Sequence, residues 1–326
     1  MKEIQFRDAI RDAMSEEMRR DKNVFLMGEE VAEYNGAYKA SQGMLDEFGP
    51  ERVYDTPISE LGFSGLGVGA AMSGLRPIIE FMTFNFSLVA IDQIINSAAK
   101  MRAMSGGQYG VPIVFRGPTG NAGQLGATHS SNFENWFANT PGLKVVVPSN
   151  PYDAKGLLKA SIRDNNPVIF MESEVMYGDK GEVPEGEYLL PLGVADIKRK
   201  GKDVTIVSFG KIIKVAYEAA EVLAKDGIEV EIIDLRTVKP IDYDTVIQSV
   251  KKTNRCVIVE EANPLASIAT DLAFNIQRLA FDYLDAPILR VNSMDIPLSY
   301  SPVYIEATLP NAKRTIDAVK KVLYRD

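Results

Sequence analysis

The chain of 326 residues carries 36 Lys and Arg against 44 Asp and Glu, with one Cys, one His and one Trp. A net charge of −8 argues against a general nucleic-acid binder, and one Cys with one His supplies neither an internal disulfide nor a zinc site of the Cys/His kind. A hydrophobic content of 46% beside 25% charged residues is that of an ordinary folded chain, and at ~100–200 residues per domain the length gives about two domains.

The opening MKEIQFRDAIRDAMSEEMRRDKN is charged throughout and lacks the apolar stretch and small-residue cleavage site of a secretion signal. No window approaches the ~18–20 apolar residues of a membrane span, so a reducing cytoplasm is the expected location. Phe6, Ala9, Ile10, Ala13 and Met14 recur at helical spacing and predict an amphipathic helix over residues 5–20, followed by a strand at residues 24–27. The segment Asp55-Thr56-Pro57-Ile58-Ser59-Glu60 ends an extended stretch and opens a helix containing Gly62, Gly65, Gly67, Gly69 and Gly74. Those glycines permit close approach to another element or to a ligand. Glu60 falls at the helix amino terminus, where the dipole favours a carboxylate, and on spacing alone capping by Ser59 and Glu60 outweighs catalysis.

A strand over residues 77–82 and a helix over residues 88–103 follow. The run FMTFNFS places Phe81 in the strand as core, and Phe84 and Phe86 where strand gives way to loop. The carboxyl end of a parallel strand is where ligands bind in open sheets, and an aromatic there can stack on a flat heterocycle. Strands over residues 112–116, 143–147 and 167–172 complete this half, with a helix capped by Asn150 and begun by Pro151. After the first of them comes RGPTGNAGQLGATHSS, whose glycine spacing is neither a phosphate-binding P-loop nor a dinucleotide fingerprint. It holds His129, the chain's one imidazole, for which structural and catalytic readings weigh equally in a loop after a strand.

Residues 177–193, YGDKGEVPEGEYLLPLG, lack periodicity and read as an interdomain linker. Strands over residues 204–209, 228–235, 256–260 and 287–291 then alternate with helices over residues 212–225, 243–252, 267–283 and 312–323. Continuous Val/Ile/Phe runs of this kind belong to parallel sheets covered by helices on both faces, an α/β fold. Cys256 lies inside such a run as a small buried hydrophobe. Glu29-Glu30 and Glu260-Glu261 both follow strands and face either a ligand or solvent.

Taken together, FLMGEEVAEYNGAY, DTPISELGFSGLGVGAAMSGLRPIIEFMTFNFSLVAIDQIINSAAKMRAMSGG, PIVFRGPTG, THSS, PGLKVVVPSNPYDAKGLLKASIRDNNPVIFMESE and FDYLDAPILRV resemble the beta subunits of the pyruvate dehydrogenase decarboxylating component, from about Phe6 to Val322. The resemblance implies a parallel-sheet pyrimidine-binding domain over residues 1–180 and a transketolase C-terminal-type α/β domain over residues 190–326. It implies an α2β2 heterotetramer with thiamine diphosphate shared between the subunits, and magnesium on the alpha side. The implied enzyme is pyruvate dehydrogenase (acetyl-transferring): pyruvate is oxidatively decarboxylated and the acetyl group passes to the lipoyl arm of a dihydrolipoamide acetyltransferase core. No nucleic-acid or membrane partner is implied.

By the same resemblance Glu60 holds the aminopyrimidine N1′, Phe86 packs on the aminopyrimidine with Ile58 nearby, and His129 assists decarboxylation or acyl transfer. Ile113, Ser161, Ile162, Asp164 and Asn166 match a structural potassium site. The Gly-Asp-Gly and Asn-Asn pattern that holds magnesium and the diphosphate is missing from the sequence, since Gly178-Asp179 runs on into Lys180, in keeping with an alpha partner that supplies it. Tyr34 to Tyr38 and the FNF segment favour pyruvate over the acetoin and branched-chain relatives, while a non-catalytic assembly subunit is the alternative of another class. Three departures stand out: Glu261-Ala-Asn-Pro where GGWP is usual, Thr128 where Gln precedes the histidine, and Ser299-Tyr300-Ser301-Pro302 where Pro-Tyr-Ala is common.

Overall fold

The continuous apolar strands are buried on both faces, as parallel strands covered by helices must be. The computed structural model describes residues 1–325. Its first half runs β1 (Lys2–Gln5), α1 (Phe6–Arg20), β2 (Val24–Gly28), α2 (Met44–Phe48), β3 (Val53–Asp55), α3 (Glu60–Met72), β4 (Arg76–Glu80), α4 (Ala99–Met104), β5 (Val114–Pro118), α5 (Glu134–Ala138), β6 (Lys144–Val146), α6 (Pro151–Arg163), β7 (Val168–Glu172) and β8 (Lys180–Val183). The second runs β9 (Asp196–Arg199), β10 (Val204–Ser208), α7 (Ile213–Lys225), β11 (Val230–Asp234), β12 (Thr237–Lys239), α8 (Tyr243–Thr253), β13 (Cys256–Val259), α9 (Ile268–Ala280), β14 (Leu289–Val291), α10 (Pro302–Thr308) and α11 (Ala312–Val322). No helix among the described residues is long and apolar enough to cross a membrane.

A seven-stranded sheet has the order β12-β6-β7-β5-β4-β2-β3, and a five-stranded sheet the order β14-β13-β10-β11-β9. Strands are parallel within each, except that β12 and β9 run antiparallel to their neighbours. Helix α3 lies close on the first sheet because of its glycines: a Cβ at Gly67 would sit 2.7 Å from Ile79 Cδ1. Asn150 caps α6 as expected, its side chain accepting from the Asp153 N–H at 2.9 Å with Pro151 following.

Three features differ from the sequence expectation. The segment read as a linker contains β8, which pairs antiparallel with β1 at the other end of the first half. Neither partner carries an alternating apolar pattern, and pairing across so long a separation leaves no local signal. The helix expected over residues 88–103 is a 3-10 turn (Phe84–Leu88), a π-helical stretch (Gln93–Ala98) and then α4. Finally, β12 leaves the second half to pair with β6, after Arg236 turns the chain in the left-handed region at φ +57.

That crossing is reinforced by buried charge. Asp153 is paired with Arg236 at 2.7 Å and with Lys198 at 2.6 Å, while Ser149 Oγ donates to Asp234. Burial, and then the charge of Asp153, push the Asp234 carboxyl up to about 6.

At the carboxyl ends of β4, β5 and β7 lies a second buried cluster. Arg116 donates through Nε and Nη2 to the two oxygens of Glu172 at 2.5 and 2.6 Å, and through Nη1 to Glu80; Tyr177 Oη donates to Glu172 at 2.7 Å. The side chains of Arg116, Glu80 and Glu172 are at most 4% exposed. Removing the cation alone strands two carboxylates in the interior, so Arg116→Met is expected to lower stability by about 3–5 kcal/mol in urea unfolding. Adding Glu80→Gln and Glu172→Gln to that variant should restore part of the loss, and a triple variant no more stable than the single one would show that packing, not charge, sets the effect.

Candidate active site

In the sheet order β3-β2-β4-β5, the four carboxyl ends deliver the residues singled out above to one edge. After β3 the chain passes Ile58, which is 85% exposed, and enters α3 at Glu60, which is buried. Ser59 makes no capping bond with its side chain. Glu60 instead meets Glu29, the residue after β2.

The sequence left Glu29 and Glu30 unresolved, and the structure separates them. Glu30 is exposed with φ +59, whereas Glu29 is 5% exposed, accepts from the Met82 backbone N–H, and shares a hydrogen bond with the Glu60 carboxyl. Burial first, then the charge of Glu60, raise the Glu29 carboxyl to about 7. Its Oε1 has no partner within the chain. A buried carboxyl whose proton affinity is raised in this way can hand a proton to a neighbouring group and take it back.

Beyond β4, Phe84 is fully buried against Phe81 and Phe137. It is therefore core, and of the two aromatics after the strand only Phe86 is left partly exposed. Phe86 is half-buried with its ring edge-on to His129, centroids 5.2 Å apart and planes at 89°. The turn between them is pinned by Asn85, which donates through Nδ2 to Thr83 Oγ1 at 2.8 Å and accepts from the Ser131 N–H at 3.0 Å. His129 closes a short 3-10 turn, with Thr128 Oγ1 2.9 Å from its Nδ1. Glu174, just past β7, hydrogen-bonds Tyr38 of the YNGAY segment, and burial raises its carboxyl while the charge of His129 lowers it. Tyr38 packs on Tyr177, with ring centroids 5.2 Å apart. Tyr34 by contrast is exposed, with Lys39 Nζ 3.5 Å over its ring.

The five residues matched to potassium gather around the end of α6 and the start of β7. The carbonyls of Ile162 and Asp164 each accept from Arg76 Nη1 at 3.0 Å, and those of Ile113 and Ser161 accept from the N–H groups of Val168 and Asp164 at 2.9 and 3.2 Å. Asn166 donates through N and Nδ2 to Asp164 Oδ1 at 2.8 and 2.9 Å, and Lys144 pairs with Asp164 Oδ2. The oxygens of this set are thus already engaged, by the Arg76 guanidinium, by Lys144 and by backbone and amide N–H groups, although each carbonyl keeps a second lone pair. Cys256 is fully buried, and desolvation pushes its thiol up to about 12, far from a reactive thiolate.

A parallel sheet with a buried carboxyl pair, an aromatic and an imidazole at its carboxyl edge, followed by a second α/β unit, defines a transketolase-type chain. The transketolase pyrimidine binding domain matches residues 2–180 and the transketolase C-terminal domain residues 193–315. A split-gene transketolase described as an inactive beta4 tetramer superposes with a TM-score of 0.81 over 98% of both chains at 21% identity, a likeness of fold.

Sequence relatives narrow the class. The pyruvate dehydrogenase E1 component subunit beta of Rhizobium meliloti is 58% identical over 98% of this chain and 70% of its own length. That of Rickettsia felis is 55% identical over 99% of both, and the mitochondrial beta-2 subunit of Oryza sativa subsp. japonica is 50% identical over 99% of this chain and 87% of its own. The chain belongs to the family of pyruvate dehydrogenase E1 component beta subunits.

The value of about 7 for Glu29 lies above the ordinary 4.5, so folding binds a proton here and the group's contribution to stability falls as pH rises between those values. Glu29→Gln should therefore raise the thermal midpoint over the parent chain by more at pH 8 than at pH 5. An equal effect at both would show that this carboxyl titrates normally.

Proposed function

We propose that the chain acts with an alpha subunit to decarboxylate pyruvate on thiamine diphosphate and passes the acetyl group to the lipoyl arm of an acyltransferase core. The observation that carries this reading is the Glu29–Glu60 pair, two buried carboxyls in hydrogen-bonding contact, at the same sheet edge as Phe86 and His129. The cofactor, when bound, supplies the electron sink that makes loss of carbon dioxide from a 2-oxoacid possible.

Glu60 would hold the aminopyrimidine N1′, a buried carboxylate exchanging a proton with a ring nitrogen. Glu29 supports that exchange by keeping a proton within hydrogen-bonding reach. The partly exposed ring of Phe86, with Ile58, offers the apolar face on which the aminopyrimidine would pack. His129, anchored at Nδ1 by Thr128, has Nε2 as its remaining hydrogen-bonding atom for the acyl-transfer step. A potassium ion among Ile113, Ser161, Ile162, Asp164 and Asn166 would have a structural role, remote from proton transfer. Magnesium and the diphosphate belong to the alpha side in this reading, and a cytoplasmic location goes with it.

The exposed apolar rim supports the need for a partner. Ile58, Leu61 and Leu66 are 85%, 47% and 68% exposed at the start of α3, beside the carboxyl pair. A covering subunit would both bury them and dry the pocket.

In the reconstituted α/β enzyme, Glu60→Gln is expected to lower pyruvate turnover by about 10²–10⁴-fold, and unaltered turnover would refute its cofactor role and favour a non-catalytic assembly subunit. His129→Ala should depress lipoyl-dependent acetyl transfer more than decarboxylation with an artificial electron acceptor; equal effects would leave this histidine structural. Assays with pyruvate, acetoin and 3-methyl-2-oxobutanoate decide the substrate, and weak pyruvate turnover beside strong activity on either rival would overturn the choice.

A further inference from the structure

The loop from Thr119 to Ser131 leaves β5 and ends just beyond His129. Its two ends are joined within the first half: the Gly120 N–H donates to Ser131 O at 3.0 Å, and the Ser131 N–H to Asn85 Oδ1 at 3.0 Å. Its middle is held by the second half. The Asn121 N–H donates to Glu261 Oε1 at 2.6 Å, Lys211 Nζ donates to Asn121 O at 2.6 Å, and Lys211 Nζ is 2.9 Å from Glu261 Oε2.

Both backbone groups of one loop residue are thus gripped by a charge pair from across the domain boundary, with side chains only 12% and 7% exposed. Gly120 makes the approach possible: it has φ +72, and a Cβ there would lie 2.7 Å from Glu261 Oε1. Further along, Gln124 Nε2 donates to Tyr300 O at 3.1 Å, and the Tyr300 ring lies against Gly126. The three departures noted in the sequence, at Glu261, at Ser299-Tyr300-Ser301-Pro302 and at Thr128, therefore meet on this one loop.

We propose that Glu261, acting with Lys211, is a positioning residue for His129, so that the second domain fixes the path of the loop presenting the imidazole. The proposal rests on the role given to His129 above. A buried ion pair that also accepts from a backbone N–H and donates to the C=O of the same residue holds that residue in one geometry, and a displacement of about 1 Å in a reacting group can lower a rate about a hundredfold.

The test compares parent, Glu261→Ala, Lys211→Met and Lys211→Arg chains, each reconstituted with the alpha subunit. Glu261→Ala and Lys211→Met should lower acetyl transfer to a lipoyl domain on the order of ten- to a hundredfold, while decarboxylation with an artificial acceptor stays within about twofold. Lys211→Arg, which keeps the charge and the donors, should stay near the parent. Amide hydrogen exchange across residues 119–131 of the assembled enzyme should speed up in the two disruptive variants alone. Unchanged exchange in those variants overturns the tether, and an equal loss of both reactions overturns its selectivity for His129. Faster exchange beside a His129→Ala enzyme with unaltered acetyl transfer would refute the role of His129 and leave the tether standing.

Discussion

The arginine buried between two glutamates at the end of the first sheet constrains everything built above it. Arg116 binds Glu172 with a bidentate fork and Glu80 with its remaining nitrogen, tying together the carboxyl ends of β4, β5 and β7. The segments that leave those three ends are the FNF turn, the His129 loop and the stretch carrying Glu174. A guanidinium so deeply buried is held protonated by its two carboxylates, and burial in turn pushes Glu80 upward against the pull of Arg116. Such a triad gives less stability than apolar packing of equal volume would, because desolvation of the ions offsets their attraction. What it fixes is geometry: three strands end in register around one planar cation.

The same cluster shapes the chemistry next door. Glu29 sits one strand over, and Glu80 adds to the charge that keeps it protonated, after burial and Glu60. Burial and Glu60 outweigh that contribution, so the Glu29 carboxyl is set chiefly by its own pocket and its immediate partner. At the far side of the site, Glu174 feels both Tyr38 and His129. The carboxyls along this sheet edge are held differently: Glu80 and Glu172 share Arg116, Glu174 meets Tyr38, and among these Glu29 keeps an oxygen without a partner inside the chain.

Much of this was legible in the residues. Strand composition gave parallel sheets, because continuous apolar runs need cover on both faces, and the position of Glu60 at a helix start followed from the break at Pro57. The core role of Phe81 followed from alternation, yet Phe84 had no such signal: a 3-10 turn after the strand rotates it inward and Phe86 outward, and only the three-dimensional turn distinguishes them. Glu29 was visible as a carboxylate after a strand, but its pairing with Glu60 joins segments that meet only because β2 and β3 are neighbours. The pairing of β1 with β8 and the return of β12 to the first sheet are likewise tertiary facts, formed by short polar segments without periodicity.

The return of β12 bears on how the halves communicate. Because Thr237 to Lys239 complete the first sheet beside β6, and Arg236 and Lys198 pair with Asp153, the second half is anchored at the β6 edge of the first. The grip on Asn121 lies elsewhere, at the end of β5, two strands inward. With further contacts such as Lys214–Asp179 and Asn135–Ala266, these separated attachments leave the halves less freedom to rotate than one would, and the grip on Asn121 lies in the loop that carries the imidazole. Helix α3, which opens at Glu60, is seated instead through Gly67 on Ile79 of the first sheet. The helix that opens at Glu60 and the loop that carries His129 are thus held by different contacts of the chain.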